Sequence, residues 1–150
     1  MTHCGLRGDH MSPGWAEGTG RRVQLTLPAA PQAVRLARRA TRDALGVWQL
    51  GQLEETAVLL VSELVTNAVR HAMCTDAITL ELRVVQTRLR IEAYRCRPGL
   101  VVPRTTGQFD EPGFGCALLD ALADKWGVRE TVTGTTAWAE LDVEPGPKAR

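Results

Sequence analysis

The chain has 150 residues, 44% of them apolar and 23% charged, with a formal net charge of +1. That is the composition of one ordinary folded domain, long enough to bury a core and unlike a low-complexity or disulfide-scaffold chain. The near-zero charge gives no electrostatic reason to expect nucleic acid or an anionic membrane as partner. No apolar run approaches the length of a membrane span and no signal-peptide pattern opens the sequence, so a cytoplasmic location is expected. The four cysteines, Cys4, Cys74, Cys96 and Cys116, form no C-x-x-C, and in that compartment reduced thiols are the default.

Residues 1–22 are rich in glycine and lack hydrophobic periodicity, which predicts a disordered N-terminal extension. The folded domain is expected over 23–143, with 144–150 a loose polar tail. Val23-Gln24-Leu25-Thr26-Leu27 alternates and reads as a strand closed by Pro28. Pro31 to Leu45 reads as a helix with Val34, Leu36, Ala37, Ala40, Ala44 and Leu45 facing inward. Its outer face carries Arg35, Arg38, Arg39 and Arg42, read as a solvated face in preference to a docking surface. A longer helix begins near Gly51 to Glu54. Two alternating segments follow, Ala77 to Val84 and Arg88 to Tyr94, joined tightly enough at Gln86-Thr87 for a hairpin.

Arg95 to Gly113 holds three of the eight prolines and no amphipathic period. So long an irregular stretch inside a compact domain is more often a functional loop than filler. Phe114 to Ala123 resumes a helical pattern. Trp126 to Val128 and Thr135 to Val143 close the chain as strands, turned at Thr133-Gly134. This order predicts an α+β two-layer sandwich, a mixed, mostly antiparallel sheet with helices on one face.

The long helix carries the chemistry. Ala57, Leu60, Val61, Leu64, Val65, Ala68 and Ala72 recur at three- and four-residue steps. At roughly 100° per residue, Glu63, Asn67 and His71 stack along the border of that apolar stripe. A solvated helix face would more naturally carry Lys/Glu pairs, and an asparagine gains little inside a helix. From spacing alone, this row serves equally to bond neighbouring loops.

Glu63-Leu64-Val65-Thr66-Asn67-Ala68-Val69-Arg70-His71 resembles the N box of the gyrase/histidine-kinase ATP-binding superfamily, the Bergerat fold. The wording is closest to its anti-sigma-factor serine/threonine kinase branch, as is the run Ala117-Leu118-Leu119-Asp120-Ala121-Leu122-Ala123-Asp124-Lys125-Trp126-Gly127. The resemblance implies ATP and Mg2+ as cofactors. It implies Asn67 as the metal ligand through its side-chain oxygen, Glu63 as the catalytic base or water-positioning carboxylate, and His71 near the phosphates. An asparagine oxygen suits a hard cation that also holds waters and phosphate oxygens. Gly113-Phe114-Gly115, just before a helix, resembles the second glycine box, where free N–H groups would cradle phosphate. Gly134-Thr135-Thr136 resembles the final box, implying Thr136 beside the adenine. The implied partners are a small anti-sigma antagonist protein, phosphorylated on Ser or Thr, and a sigma factor; a homodimer is also implied.

The first glycine box departs from the family. The pattern Asp-x-Gly-x-Gly falls on Arg95-Cys96-Arg97-Pro98-Gly99, so only Gly99 matches. A guanidinium is donor-only and cannot accept from the adenine amino group as the aspartate does. Losing a hydrogen bond of roughly 1.5–3 kcal/mol weakens adenine binding roughly 10- to 150-fold. Two expectations follow: a nucleotide site with a changed base-reading end, in which Arg95 serves a different base, or a partner-binding module of the same fold with little catalysis.

Overall fold

In the computed structural model, residues 20–72, 77–96 and 114–143 are described, with the backbone alone for 114–116. The elements run β1 (Arg22–Pro28), α1 (Gln32–Val47), a 3₁₀ turn (Gly51–Leu53), α2 (Glu54–Arg70), β2 (Ala77–Val85), β3 (Arg88–Cys96), α3 (Phe114–Leu122), β4 (Lys125–Glu130) and β5 (Gly134–Asp142). The 1–22 extension, apart from its last residues, the 97–113 loop and the 144–150 tail lie outside the described residues.

The strands form one five-stranded sheet in the order β1-β2-β3-β5-β4. Among the described residues every pairing is antiparallel, in keeping with the mostly antiparallel sheet expected from the element order. β4 lies parallel to β3 but two places away, and β5 returns to fill the gap between them. Alternation sets the faces: Leu80, Leu82 and Val84 of β2 stand opposite Ala93, Ile91 and Leu89 of β3, all buried. Against that face pack α1, α2 and α3, giving one two-layer sandwich with a single core.

Helix α1 buries Ala33, Ala37, Thr41, Ala44 and Leu45, a stripe of mostly small residues. Leu36, expected inside, is 44% exposed because it falls about 100° around the helix from Ala37. The helix ends with Gln49 at φ 60°, where Gln49 N donates to Gly46 O at 3.1 Å and Leu50 N to Leu45 O at 2.8 Å. Those two bonds are a Schellman closure, which normally favours glycine at the left-handed position.

The other sheet face is polar and self-neutralising. Register sets Arg22, Arg83 and Arg90 in one cross-strand row and Glu81 and Glu92 in the next. Like charges directly opposite one another destabilise a sheet, but Glu140 stands opposite Arg90 and the carboxylates of the next row reach the other arginines. Arg22 Nε donates to Glu81 at 2.7 Å, and Arg90 donates at 2.7 Å to both Glu92 and Glu140. Burial opposes the charge on Arg90, yet these two carboxylates outweigh it and its pKa is pushed above the ordinary value. The guanidinium also lies 4.4 Å above the Trp138 ring, a cation–π contact.

Gly134, at the start of β5, is set by close approach. A Cβ there would run into the carbonyl oxygen of Arg95 and come within 2.9 Å of the Tyr94 ring. Gly134→Ala is expected to cost about 1–3 kcal/mol, as overpacking does. Gln49→Gly should gain about 0.5–1 kcal/mol by relieving the left-handed position. Urea unfolding midpoints of the two variants should move in opposite directions.

Candidate nucleotide-binding site

Helix α2 begins with Glu54 and Glu55 in its first turn and has Arg70 in its last, each complementing the helix dipole. Ala57, Leu60, Val61, Leu64, Val65 and Ala68 are buried along one stripe, which fixes the rotation of the helix. Glu63, Asn67 and His71 then lie on its border at successive turns. Asn67 is the innermost, only 8% exposed; Glu63 and His71 are half-buried. His71 sits just past the helix as its C-cap, its N–H donating to Asn67 O at 3.2 Å.

Three polar side chains are buried among the described residues: Thr41, Asn67 and Thr136. The Thr41 hydroxyl donates to Ala37 O at 2.8 Å, so its burial is compensated. The Asn67 amide nitrogen is buried with no hydrogen-bond partner. Leaving such a group unsatisfied costs about 1–3 kcal/mol. As oriented, the amide offers a donor suited to a phosphate oxygen; turned over, it offers Oδ1 to a cation. Either way a polar atom is held inside for a partner that the described residues do not supply.

The sheet contributes the other wall. Residues 72–76 join the end of α2 to β2, a reach of no more than roughly 20 Å. The His71 end of α2 and the Ala77 end of β2 therefore share one end of the sandwich. At that end Ile78 pairs with Arg95, Arg95 with Thr135, and Thr135 with Glu130. β3 presents Leu89, Ile91, Ala93 and Arg95 on its helix-facing side, so a half-buried guanidinium ends an otherwise apolar row.

Thr136 does not share that side. It pairs with Tyr94 and lies on the polar face with Trp138 and Glu140, while Thr135 faces the helices with Ala137, Ala139 and Leu141. The apolar alternation of Ala137, Ala139 and Leu141 was the sequence signal for this parity; Glu130, passed over in the sequence, shares the helix-facing side through its pairing with Thr135. Gly99 and Gly113 lie outside the described residues, and of Phe114 and Gly115 only the helical backbone is described. Among the described residues no cluster of three or more His, Cys, Asp or Glu side chains could hold a metal ion alone. A magnesium ion here would have to share its shell with phosphate oxygens and water.

The thiol expectation is corrected at Cys96, the last residue of β3, which is disulfide-bonded. The lack of a C-x-x-C excludes only a local pair.

The family profile described as histidine kinase-like ATPase domain matches residues 27–141, and the chain belongs to that family. A comparison with curated proteins returned no match. Among solved structures, the fold resembles that of the RsbU and RsbW domains of Rv1364c from Mycobacterium tuberculosis, with TM-score 0.63, 23% identity, and coverage of 81% of this chain and 32% of that one. It also resembles the histidine kinase domain of the blue-light activated histidine kinase from Erythrobacter litoralis EL346, with TM-score 0.53, 17% identity, and coverage of 79% and 62%. The chain thus spans about a third of the first and less than two thirds of the second. At these identities the likeness is one of fold.

Alkylation without reductant is expected to leave Cys96 unmodified and to label it after reduction, read by peptide mass mapping. Labelling of Cys96 without reductant would contradict the disulfide.

Proposed function

We propose that the chain is a nucleotide- and magnesium-dependent regulatory protein that phosphorylates a small antagonist protein on Ser or Thr, in the manner of anti-sigma-factor kinases, and sequesters a sigma factor. The observation that carries the nucleotide reading is the buried, unpartnered amide of Asn67 beside half-buried Glu63 on the helix that resembles the N box. Family membership supports ATP as the nucleotide. The RsbW domain in the Mycobacterium tuberculosis structure agrees with the anti-sigma branch.

Asn67 would hold magnesium through Oδ1, and the ion would supply charge neutralisation at the phosphates. Glu63, one turn earlier, would orient the attacking hydroxyl and accept its proton. His71 would stand near the phosphates, and the N-terminus of α3 with Gly113 and Gly115 would line them. Thr135, in place of Thr136, would meet the base.

A second reading is favoured by Arg95 on the helix-facing side and by the Cys96 disulfide beside it: a partner-binding module of this fold without turnover. Titration calorimetry with Mg-ATP separates the two. Wild type should bind, Asn67→Ala should lose about tenfold or more, and Glu63→Gln should retain binding but lose phosphoryl transfer to a co-purified partner. Absence of binding of Mg-ATP and of Mg-GTP alike by the folded wild type favours the partner-binding module.

A further inference from the structure

The row that closes the helix-facing side of the sheet holds three polar residues on adjacent strands: Arg95 on β3, Thr135 on β5 and Glu130 on β4. Neighbouring strands lie about 4.8 Å apart, so the row spans about 10 Å between its outer backbones. In order it presents a donor, a hydroxyl that both donates and accepts, and an acceptor. Beyond Arg95 the row continues through Ile78 to Leu27, both buried, so the polar sequence has an apolar stop on one side.

We propose that this row reads a guanine base, so that the site takes GTP in preference to ATP. The inference rests on the nucleotide-binding reading above and changes the base. Guanine carries an acceptor oxygen at C6 and N–H donors at N1 and at the 2-amino group. Adenine carries an amino donor at C6 and a bare acceptor at N1. A guanidinium placed at the C6 end meets an oxygen in guanine, its commonest specific base contact, and an opposing N–H in adenine. A carboxylate at the far end accepts from the N1 and 2-amino hydrogens of guanine and finds no donor on adenine. A triphosphate is the other acceptor an arginine could serve. Against it, Arg95 is the only Arg or Lys on this face among the described strand residues, its same-face neighbours being Ile78, Ala93 and Thr135.

Competition binding of GTP, ITP and ATP with magnesium to the full chain tests this, with Arg95→Met and Glu130→Gln alongside and thermal unfolding as the folding control. Wild type should prefer GTP over ATP by about tenfold or more, the discrimination expected of one well-placed bidentate contact. ITP keeps the C6 oxygen but lacks the 2-amino group, so it should fall between them. Arg95→Met should bring GTP and ITP down towards ATP, while Glu130→Gln should erase the advantage of GTP over ITP and leave ITP ahead of ATP. Equal or tighter binding of ATP by wild type overturns the inference and leaves the nucleotide reading standing. So does a loss in Arg95→Met that is uniform across the three nucleotides, which would make Arg95 a phosphate contact. Failure of every nucleotide to bind the folded protein defeats the nucleotide reading and the inference with it.

Discussion

The apolar stripe of α2 is the constraint on which the rest of the structure depends. Leu60, Val61, Leu64 and Val65 are fully buried and lie in the same core as the sheet residues Leu80, Leu82 and Ile91. Rotating the helix by one residue would lift that stripe out of the core, at the cost of several fully buried side chains worth about 1.5–3 kcal/mol each. Because the stripe fixes the rotation, it also fixes where Asn67 points. A polar atom that costs free energy in the isolated protein is held in place by burial that greatly exceeds that cost.

Most of the fold was legible because its signals are local. The α2 stripe, the alternation of Ile78, Leu80, Leu82 and Val84, and the Gln86-Thr87 hairpin are each readable within a few residues. The order of strands was not, since β5 pairs with β3 as well as with its hairpin neighbour β4, a non-local pairing that no single strand's composition shows. Leu36 shows the limit of periodicity on a small-residue helix: Ala33 and Ala37 define the buried side, and hydrophobicity alone favours the leucine.

The site was legible along the helix and less so across the sheet. Glu63, Asn67 and His71 follow from helical spacing within one element. Thr135, Thr136 and Glu130 need the parity of two strands and their register, and a shift of one residue moves a side chain to the opposite face. A motif places a glycine-threonine pair at a turn, but the neighbouring strands decide which of two adjacent threonines turns toward the helices.

The two faces of the sheet carry their arginines in different surroundings. On the polar face, Arg22 and Arg90 are held by carboxylates at 2.7 Å, and Arg83 stands within 3.8 Å of both Glu81 and Glu92. That network keeps the exposed sheet neutral in spite of rows of like charge. On the helix-facing side, β3 is apolar until its end and then presents one guanidinium next to a hydroxyl. Its place on the helix-facing side of the sheet makes the changed glycine box more than a lost motif. The same end of the sandwich that holds an unsatisfied amide on the helix holds a donor, a hydroxyl and a carboxylate in sequence on the sheet, which is the kind of ordered polarity that distinguishes one purine from another.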